Sequence, residues 1–162
     1  MDFELINVSM NQTKCVYGNH SLIGTKGIAS CIGVLLYDRL NKKAIVGHFN
    51  SNKYDGLESE DASYIFMELK DAILKNNLSN ELVYLLVPGI VGNTARIKNV
   101  ALELEKYLEN YEKMDCIEDR AIMMNVETES LEFVFDPNNN KFLTHKFFPN
   151  DVDYKLYSSK VK

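Results

Sequence analysis

The distribution of apolar residues along the chain predicts a series of strands interrupted by two helices. Nearly continuous apolar runs occupy residues 32–37 and 82–87, and such runs are typical of strands buried on both faces. Shorter or partly alternating runs predict additional, less deeply buried strands. These additional strands are expected at residues 2–9, 14–17, 44–48, 121–126, 131–135 and 141–147.

Two segments have apolar residues at helical spacing. The first begins near Asp61, repeats apolar residues on one face, and ends at Asn76 and Asn77. The second spans residues 95–111, where Thr94 is a suitable N-cap. The apolar faces of the two predicted helices contain Ile65, Leu69, Ala72 and Ile73, and Ile97, Val100, Ala101, Leu104 and Leu108.

The remaining segments between these elements have the composition of turns. Glycine and polar residues predict turns at 18–20 and 24–27, a short polar connector at 38–43, and a turn at 136–140. The resulting order of strands, helix, strand, helix and strands predicts an α/β or α+β layered domain with a mixed sheet. We expect one domain over residues 1–148 and a polar tail over 149–162 whose structure the pattern does not indicate.

Composition narrows the possible classes of protein. The chain has 162 residues, of which 46% are hydrophobic, which is enough for a single core. Its net charge of −5 argues against a nucleic-acid binder, which would concentrate basic residues on one face. No apolar run reaches the roughly 20 residues that a membrane span needs. The first residues lack the pattern of a signal peptide, so we expect a cytoplasmic protein without membrane insertion. Delivery into another cell by a signal-less route stays open.

The few cysteines and histidines restrict the chemistry further. The chain has three cysteines, Cys15, Cys31 and Cys116, and no two of them have the spacing of a zinc site. Because the number is odd, a disulfide framework is not expected either. We therefore expect reduced thiols, no metal and no cofactor. Cys15 and Cys116 have no obvious partner and are interpreted as packing residues. His20, in a predicted turn, and His145, in a predicted strand, are interpreted as surface residues.

Cys31 and His48 are the candidate catalytic pair. Cys31 precedes an apolar strand, His48 ends the next one, and the polar connector between them predicts a hairpin. An antiparallel pair would place His48 opposite residue 31 or 33, within cross-strand reach. A thiol beside an imidazole can attack an amide or ester carbonyl. The alternatives are a buried structural cysteine and a hydrogen-bonded histidine at a strand end.

The residues around this pair resemble a known family. Ser30-Cys31-Ile-Gly-Val-Leu-Leu-Tyr-Asp38, with Gly47-His48-Phe49 after it and Thr25 before it, is similar to the active-site signature of the chemoreceptor glutamine deamidases (CheD). The likeness extends at a low level over roughly residues 5–145. It implies a sandwich of largely antiparallel sheets with two main helices, a fold also similar to that of cytotoxic necrotizing factor-type toxins.

The resemblance implies a Cys31, His48 and Thr25 triad that hydrolyses a glutamine carboxamide through a thioester, with Thr25 orienting His48. Backbone N–H groups near Ala29 and Ser30 are the expected oxyanion neighbourhood. The partner would be a protein with an exposed glutamine. The family's loops are not retained at 50–52, 88–93 and 125–130, which indicates a changed target. The alternatives are a related cysteine amidase or transglutaminase-like enzyme, and a non-catalytic protein-binding module.

Overall fold

A computed structural model describes residues 4–18, 21–50, 62–90, 94–114, 122–125 and 127–143, and the backbone of 154–156. The described part contains two helices, α1 and α2, and strands β1 to β11. The helices are Ser63–Lys75 (α1) and Thr94–Tyr107 (α2). The strands are Glu4–Asn7 (β1), Gln12–Tyr17 (β2), Ser21–Ile28 (β3), Ile32–Asp38 (β4), Lys43–Phe49 (β5), Glu81–Val87 (β6), Asn110–Lys113 (β7), Met123–Asn125 (β8), Ser130–Asp136 (β9), Lys141–Phe142 (β10) and Tyr154–Leu156 (β11).

The strands form two sheets. The inner sheet has the order β2-β5-β4-β6-β7, and the outer sheet has the order β1-β3-β9-β8-β11, with β10 paired to β9. Most neighbours are antiparallel, and the pairs β1–β3 and β6–β7 are parallel. The expected mixed, largely antiparallel α+β layered fold is therefore confirmed.

The inner sheet lies in the middle of three layers, because both of its faces are apolar. Leu35 and Tyr37 of β4 face the outer sheet and pack with Phe133 and Phe135 of β9. The intervening residues of β4 face the helices. Every residue of β4 is buried, as its continuous apolar run predicted. Each fully buried Leu, Ile or Phe side chain contributes roughly 1.5–3 kcal/mol, so these two cores hold the layers together.

The helices cover the second face of the inner sheet. Helix α1 buries Ile65, Leu69 and Ile73, which recur every four residues on one face. Helix α2 buries Val100 and Leu104 in the same cluster. Both helices and their packing faces agree with the predictions from apolar spacing, although α2 ends at Tyr107 rather than 111. Residues 110–113 instead form β7, whose side chains are all exposed.

The predicted turn at residues 24–27 is wrong. These residues belong to β3, where Gly24 and Thr25 pair with Val134 and Phe133 of β9. The register shifts between Thr25 and Ile28, and Gly27 has a φ of 75° at this irregularity. Pairing across the sheet therefore outweighs the local turn preference of glycine, and the glycine is used in a β-bulge.

The C-terminal tail contributes to the fold. Residues 154–156, which the pattern did not place, form β11 and pair antiparallel with β8. The predicted turn at 136–140 is confirmed, because the Asp136 carboxylate accepts hydrogen bonds from the backbone N–H groups of Asn138 and Asn139. His20, Cys116 and His145 lie outside the described residues, as do residues 144–147 of the last predicted strand.

Candidate functional site

The β4–β5 hairpin brings Cys31 and His48 to the same face of the inner sheet. His48 pairs with Gly33, one of the two positions that the hairpin predicted. Cys31 lies two residues before Gly33, so the two side chains are diagonal neighbours, whose Cα atoms in sheets are roughly 7–8 Å apart. Cys31 belongs to the core between the two sheets. His48 faces the same space between the two sheets, because its ring is hydrogen-bonded to Thr25 of the outer sheet.

Thr25 of the outer sheet contacts His48 of the inner sheet. The Thr25 hydroxyl lies 2.8 Å from His48 Nδ1 and 2.6 Å from the backbone carbonyl oxygen of Val8. All of Thr25 is buried, and His48 is 2% exposed. The structure therefore joins the second and third residues of the expected triad by a hydrogen bond across the sandwich.

This hydrogen-bond chain sets the protonation of the imidazole. A threonine hydroxyl has one proton, and the Val8 carbonyl can only accept, so the hydroxyl donates to Val8. The hydroxyl oxygen then accepts a hydrogen bond from His48, which must carry its proton on Nδ1. In the neutral ring, the other nitrogen, Nε2, consequently has a free lone pair.

His48 is held neutral by its surroundings. Burial lowers the pKa of His48 from 6.5 to about 4, because a charged ring would lose its hydration. Its Nε2 atom is buried and makes no hydrogen bond to any residue within the described ranges. A neutral imidazole with a free lone pair can accept a proton from a neighbouring acid, which is the requirement for a general base.

Burial also keeps the Cys31 thiol neutral. Cys31 is 3% exposed, and burial raises the pKa of its thiol. The thiol makes no hydrogen bond to His48 Nε2. A preformed thiolate–imidazolium ion pair is therefore disfavoured, and the arrangement favours proton transfer coupled to attack. Catalytic hydrogen bonds are often long before substrate binds and shorten in the complex.

Gly89 supports the turn that presents Cys31, a role that its Pro-Gly pair did not indicate in the sequence. Ile90 donates a backbone hydrogen bond of 2.7 Å to the carbonyl oxygen of Ala29. A Cβ atom at Gly89 would lie 2.5 Å from that oxygen and 2.6 Å from the carbonyl oxygen of Cys31. Gly89 also has a φ of 79°. Only glycine allows so close an approach in this conformation. Ser30 lies half-buried in the same turn.

A cavity of about 440 Å³ opens beside the histidine. Its lining includes His48 together with polar residues from the outer sheet, among them Asn7, Asn125, Ser130 and Glu132. Cys31 is absent from the described lining of this cavity. The cavity therefore borders His48 from the side of the outer sheet, and the sequence did not indicate any of these four polar residues as part of a site.

The other cysteine within the described ranges is separate from the site. Cys15, on β2, is half-buried against the helix-side core, which confirms its interpretation as a packing residue. Burial raises its pKa to about 11. Within the described residues, no three His, Cys, Asp or Glu side chains form a group that could hold a metal ion.

Two comparisons with known proteins gave no match to this chain. A scan against protein-family models found no match to this chain, and a search of curated proteins found none either. Among the described residues, neither helix has the length and apolar character needed to cross a bilayer.

Proposed function

We propose that this chain is a cysteine-dependent glutamine deamidase that acts on a protein with an exposed glutamine. The observation that carries the proposal is the Val8–Thr25–His48 hydrogen-bond chain, which leaves Nε2 unprotonated on the face that also holds Cys31. The motif around Cys31 and its resemblance to CheD add independent support. The reduced thiols Cys15 and Cys31 fit a reducing compartment, so the cytoplasm is the proposed location.

The first step forms a thioester. His48 Nε2 takes the proton from the Cys31 thiol as the sulfur attacks the carbonyl carbon of the glutamine side chain. The carbonyl electron pair moves to oxygen, where backbone N–H groups of the 29–31 turn would stabilise the negative charge. When the oxyanion collapses, the C–N bond breaks. The nitrogen takes the proton from Nε2 and leaves as ammonia.

The second step uses water. His48 Nε2 accepts a proton from a water molecule, and the resulting hydroxide attacks the thioester carbonyl. The C–S bond then breaks, the sulfur regains its proton from His48, and the product is a glutamate side chain. Thr25 is a positioning residue in both steps, because it holds the proton on Nδ1 and fixes the plane of the ring.

The surrounding loops favour a target other than a chemoreceptor. The family's segments are not retained after His48, after β6 or between β8 and β9, while the residues of the triad are retained. Loops around a fixed site commonly determine which partner binds. We therefore propose retained chemistry with a different protein substrate.

The proposal is tested with the intact chain and a mixture of proteins as substrate. The wild-type protein and a Cys15→Ala control should release ammonia and raise the mass of particular glutamines by about one unit, as replacement of NH₂ by OH requires. A Cys31→Ala variant should do neither. Equal conversion by wild type and Cys31→Ala would rule out the mechanism. Added primary amine that appears covalently on the glutamine would identify a transglutaminase.

A non-catalytic protein-binding module is the second candidate. The observation that favours it is the burial of Cys31 together with the missing hydrogen bond between its thiol and His48 Nε2. This candidate predicts that Cys31→Ala binds its protein partner as the wild type does, and that neither form changes the partner's mass.

A further inference from the structure

Gly33 leaves a gap in the inner sheet beside His48. Three positions lie side by side across the sheet in this row: His48 on β5, Gly33 on β4 and Val87 on β6. Directly paired residues in a sheet have Cβ atoms roughly 4.5–5.5 Å apart, so a side chain at the middle position would contact its neighbours. Because glycine has no side chain, the sheet alone does not support the imidazole on this side.

Ile28 of the outer sheet fills this gap. A Cβ atom at Gly33 would lie 2.7 Å from Ile28 Cδ1, and 3.5 and 3.6 Å from atoms of Val87 and Phe133. Ile28 therefore lies closer to this point than the imidazole of His48 does. Its side chain is fully buried in the core between the two sheets. Its terminal methyl group occupies the place that a side chain at position 33 would take.

The β-bulge in β3 directs Ile28 into the gap. In a regular strand, side chains three residues apart face opposite sides of the sheet. Thr25 pairs with Phe133 of β9. Ile28 pairs with Leu131, so three steps along β3 match only two along β9. The extra residue turns Ile28 to the face that already carries Thr25, and both side chains are fully buried there.

We propose that Ile28 is a positioning residue for His48. Its Cδ1 methyl occupies the space over Gly33 and confines the imidazole to the place where Nδ1 bonds to Thr25. The hydrogen bond restrains one atom of the ring, and close packing against the methyl restrains the ring from the side of the glycine. The importance of this contact for catalysis rests on the proposed deamidase function, because a displaced base reacts more slowly.

The test removes only this methyl group. Ile28→Val lacks Cδ1, and Ile65→Val, the same change at a fully buried position of the helix-side core, is the matched control. The His48 Nδ1–H signal of the ¹⁵N-labelled protein, identified by its loss in His48→Gln, reports the position of the ring. In Ile28→Val, this signal should shift and its proton should exchange with water about tenfold faster, because the ring can open away from Thr25. Ile65→Val should leave the signal as in wild type.

A methyl group supplied from the inner sheet should restore the ring. Gly33→Ala alone would bring its Cβ to 2.7 Å from Ile28 Cδ1 and is expected to destabilise the fold. In the double variant Gly33→Ala/Ile28→Val, the same Cβ meets no Cδ1 and fills the gap. The exchange rate of the Nδ1 proton should then return to within about twofold of wild type, a coupling expected only of residues in contact. A merely structural role would lower the stability of Ile28→Val and Ile65→Val alike without moving the Nδ1–H signal.

The outcomes separate the role of Ile28 from the reaction on which its importance rests. Faster exchange in Ile28→Val should be accompanied by a kcat for deamidation that is lower by roughly threefold or more, with KM unchanged. An unchanged Nδ1–H signal, or a double variant that exchanges as fast as Ile28→Val, would overturn the role of Ile28 even if Cys31-dependent deamidation holds. Faster exchange in a chain without Cys31-dependent deamidation would overturn the proposed reaction and leave Ile28 as the support of a buried histidine.

Discussion

The two halves of the candidate site are held in different ways. The base half, His48 with Thr25 and Val8, is fixed by two hydrogen bonds. The Thr25–His48 bond of 2.8 Å crosses from the outer to the inner sheet, and the Thr25–Val8 bond of 2.6 Å lies within the outer sheet. The turn that carries Cys31, the nucleophile half, is supported by the close approach of Gly89 to its backbone and by the backbone hydrogen bond from Ile90 to Ala29. The Thr25 hydrogen bond determines which ring nitrogen of His48 carries the proton, whereas the Gly89 contact determines the path of the backbone around Cys31. In the proposed reaction, the imidazole is therefore set up as a base before substrate binds, and the thiol depends on it to lose its proton.

Removing the base should have the largest effect. Replacing His48 by Gln leaves a polar side chain but no group that can take the thiol proton. We expect the rate of deamidation to fall roughly 10²–10⁴-fold, the usual contribution of general acid–base catalysis. The measurement is ammonia release per mole of folded protein, with folding checked by circular dichroism. A decrease of less than tenfold would mean that His48 is not the base.

Disturbing the nucleophile half through Gly89→Ala should have the next largest effect. The new methyl would meet two backbone carbonyl oxygens at 2.5 and 2.6 Å. Together with a φ of 79°, the overlap should lower the free energy of unfolding by about 2–5 kcal/mol. The rate of alkylation of Cys31 should also change relative to that of Cys15, because the 29–31 turn must move to accommodate the methyl group.

Gly27→Ala is the matched control for this overlap. Gly27 has a φ of 75°, but a Cβ there would meet no atom within 4 Å. In Gly27→Ala, the free energy of unfolding should fall only by the cost of a left-handed backbone conformation, about 1–2 kcal/mol. If urea unfolding gave the same decrease in the free energy of unfolding for both variants, the contact between Gly89 and the Cys31 turn would contribute nothing to stability.

The neutral state of His48 should appear in the pH dependence of stability. Its pKa is about 4 in the folded chain against 6.5 ordinarily, so the unfolded chain binds the proton more tightly. The stability that the neutral His48 ring contributes is therefore fully present above pH 6.5 and is lost as the pH falls towards 4. We expect a loss of about 3 kcal/mol at pH 4 relative to His48→Gln, from urea unfolding of both proteins. Parallel pH curves for the two proteins would contradict the burial of a neutral ring.

The smallest expected effect concerns the link between the sheets. Thr25→Val keeps the shape of the side chain but leaves the Nδ1 proton and the Val8 carbonyl without a partner. The free energy of unfolding should fall by about 1–3 kcal/mol, and the activity should fall because the ring can change tautomer. Thr25→Ser restores the hydroxyl and should recover most of both. Recovery of neither would mean that the threonine contributes through packing rather than through its hydrogen bonds.

The parts of the fold that follow from neighbouring residues could be predicted from the sequence. The β4–β5 hairpin follows from two apolar runs around a polar connector, and its register places His48 opposite Gly33. The helix faces follow from their apolar spacing. In contrast, the glycines at 24 and 27 predicted a turn, because a local pattern does not show that β9 would pair with this segment.

The parts of the site that depend on long-range pairing could not be predicted from the apolar pattern. Thr25 was selected only through its resemblance to a family signature. The contribution of Val8 depends on the parallel pairing of β1 with β3, which no local periodicity encodes. Gly89 reaches the Cys31 turn because β6 lies beside β4. Its Pro-Gly pair signalled a turn but not what that turn contacts.

The most direct test of the central claim is the rate at which iodoacetamide alkylates Cys31 at pH 7, followed by mass spectrometry in wild type and His48→Gln. If the His48 lone pair takes the thiol proton, Cys31 should react faster than Cys15, whose pKa is about 11, and His48→Gln should slow Cys31 at least tenfold while leaving Cys15 unchanged. The same Cys31 rate in both proteins would show that the imidazole does not activate the sulfur.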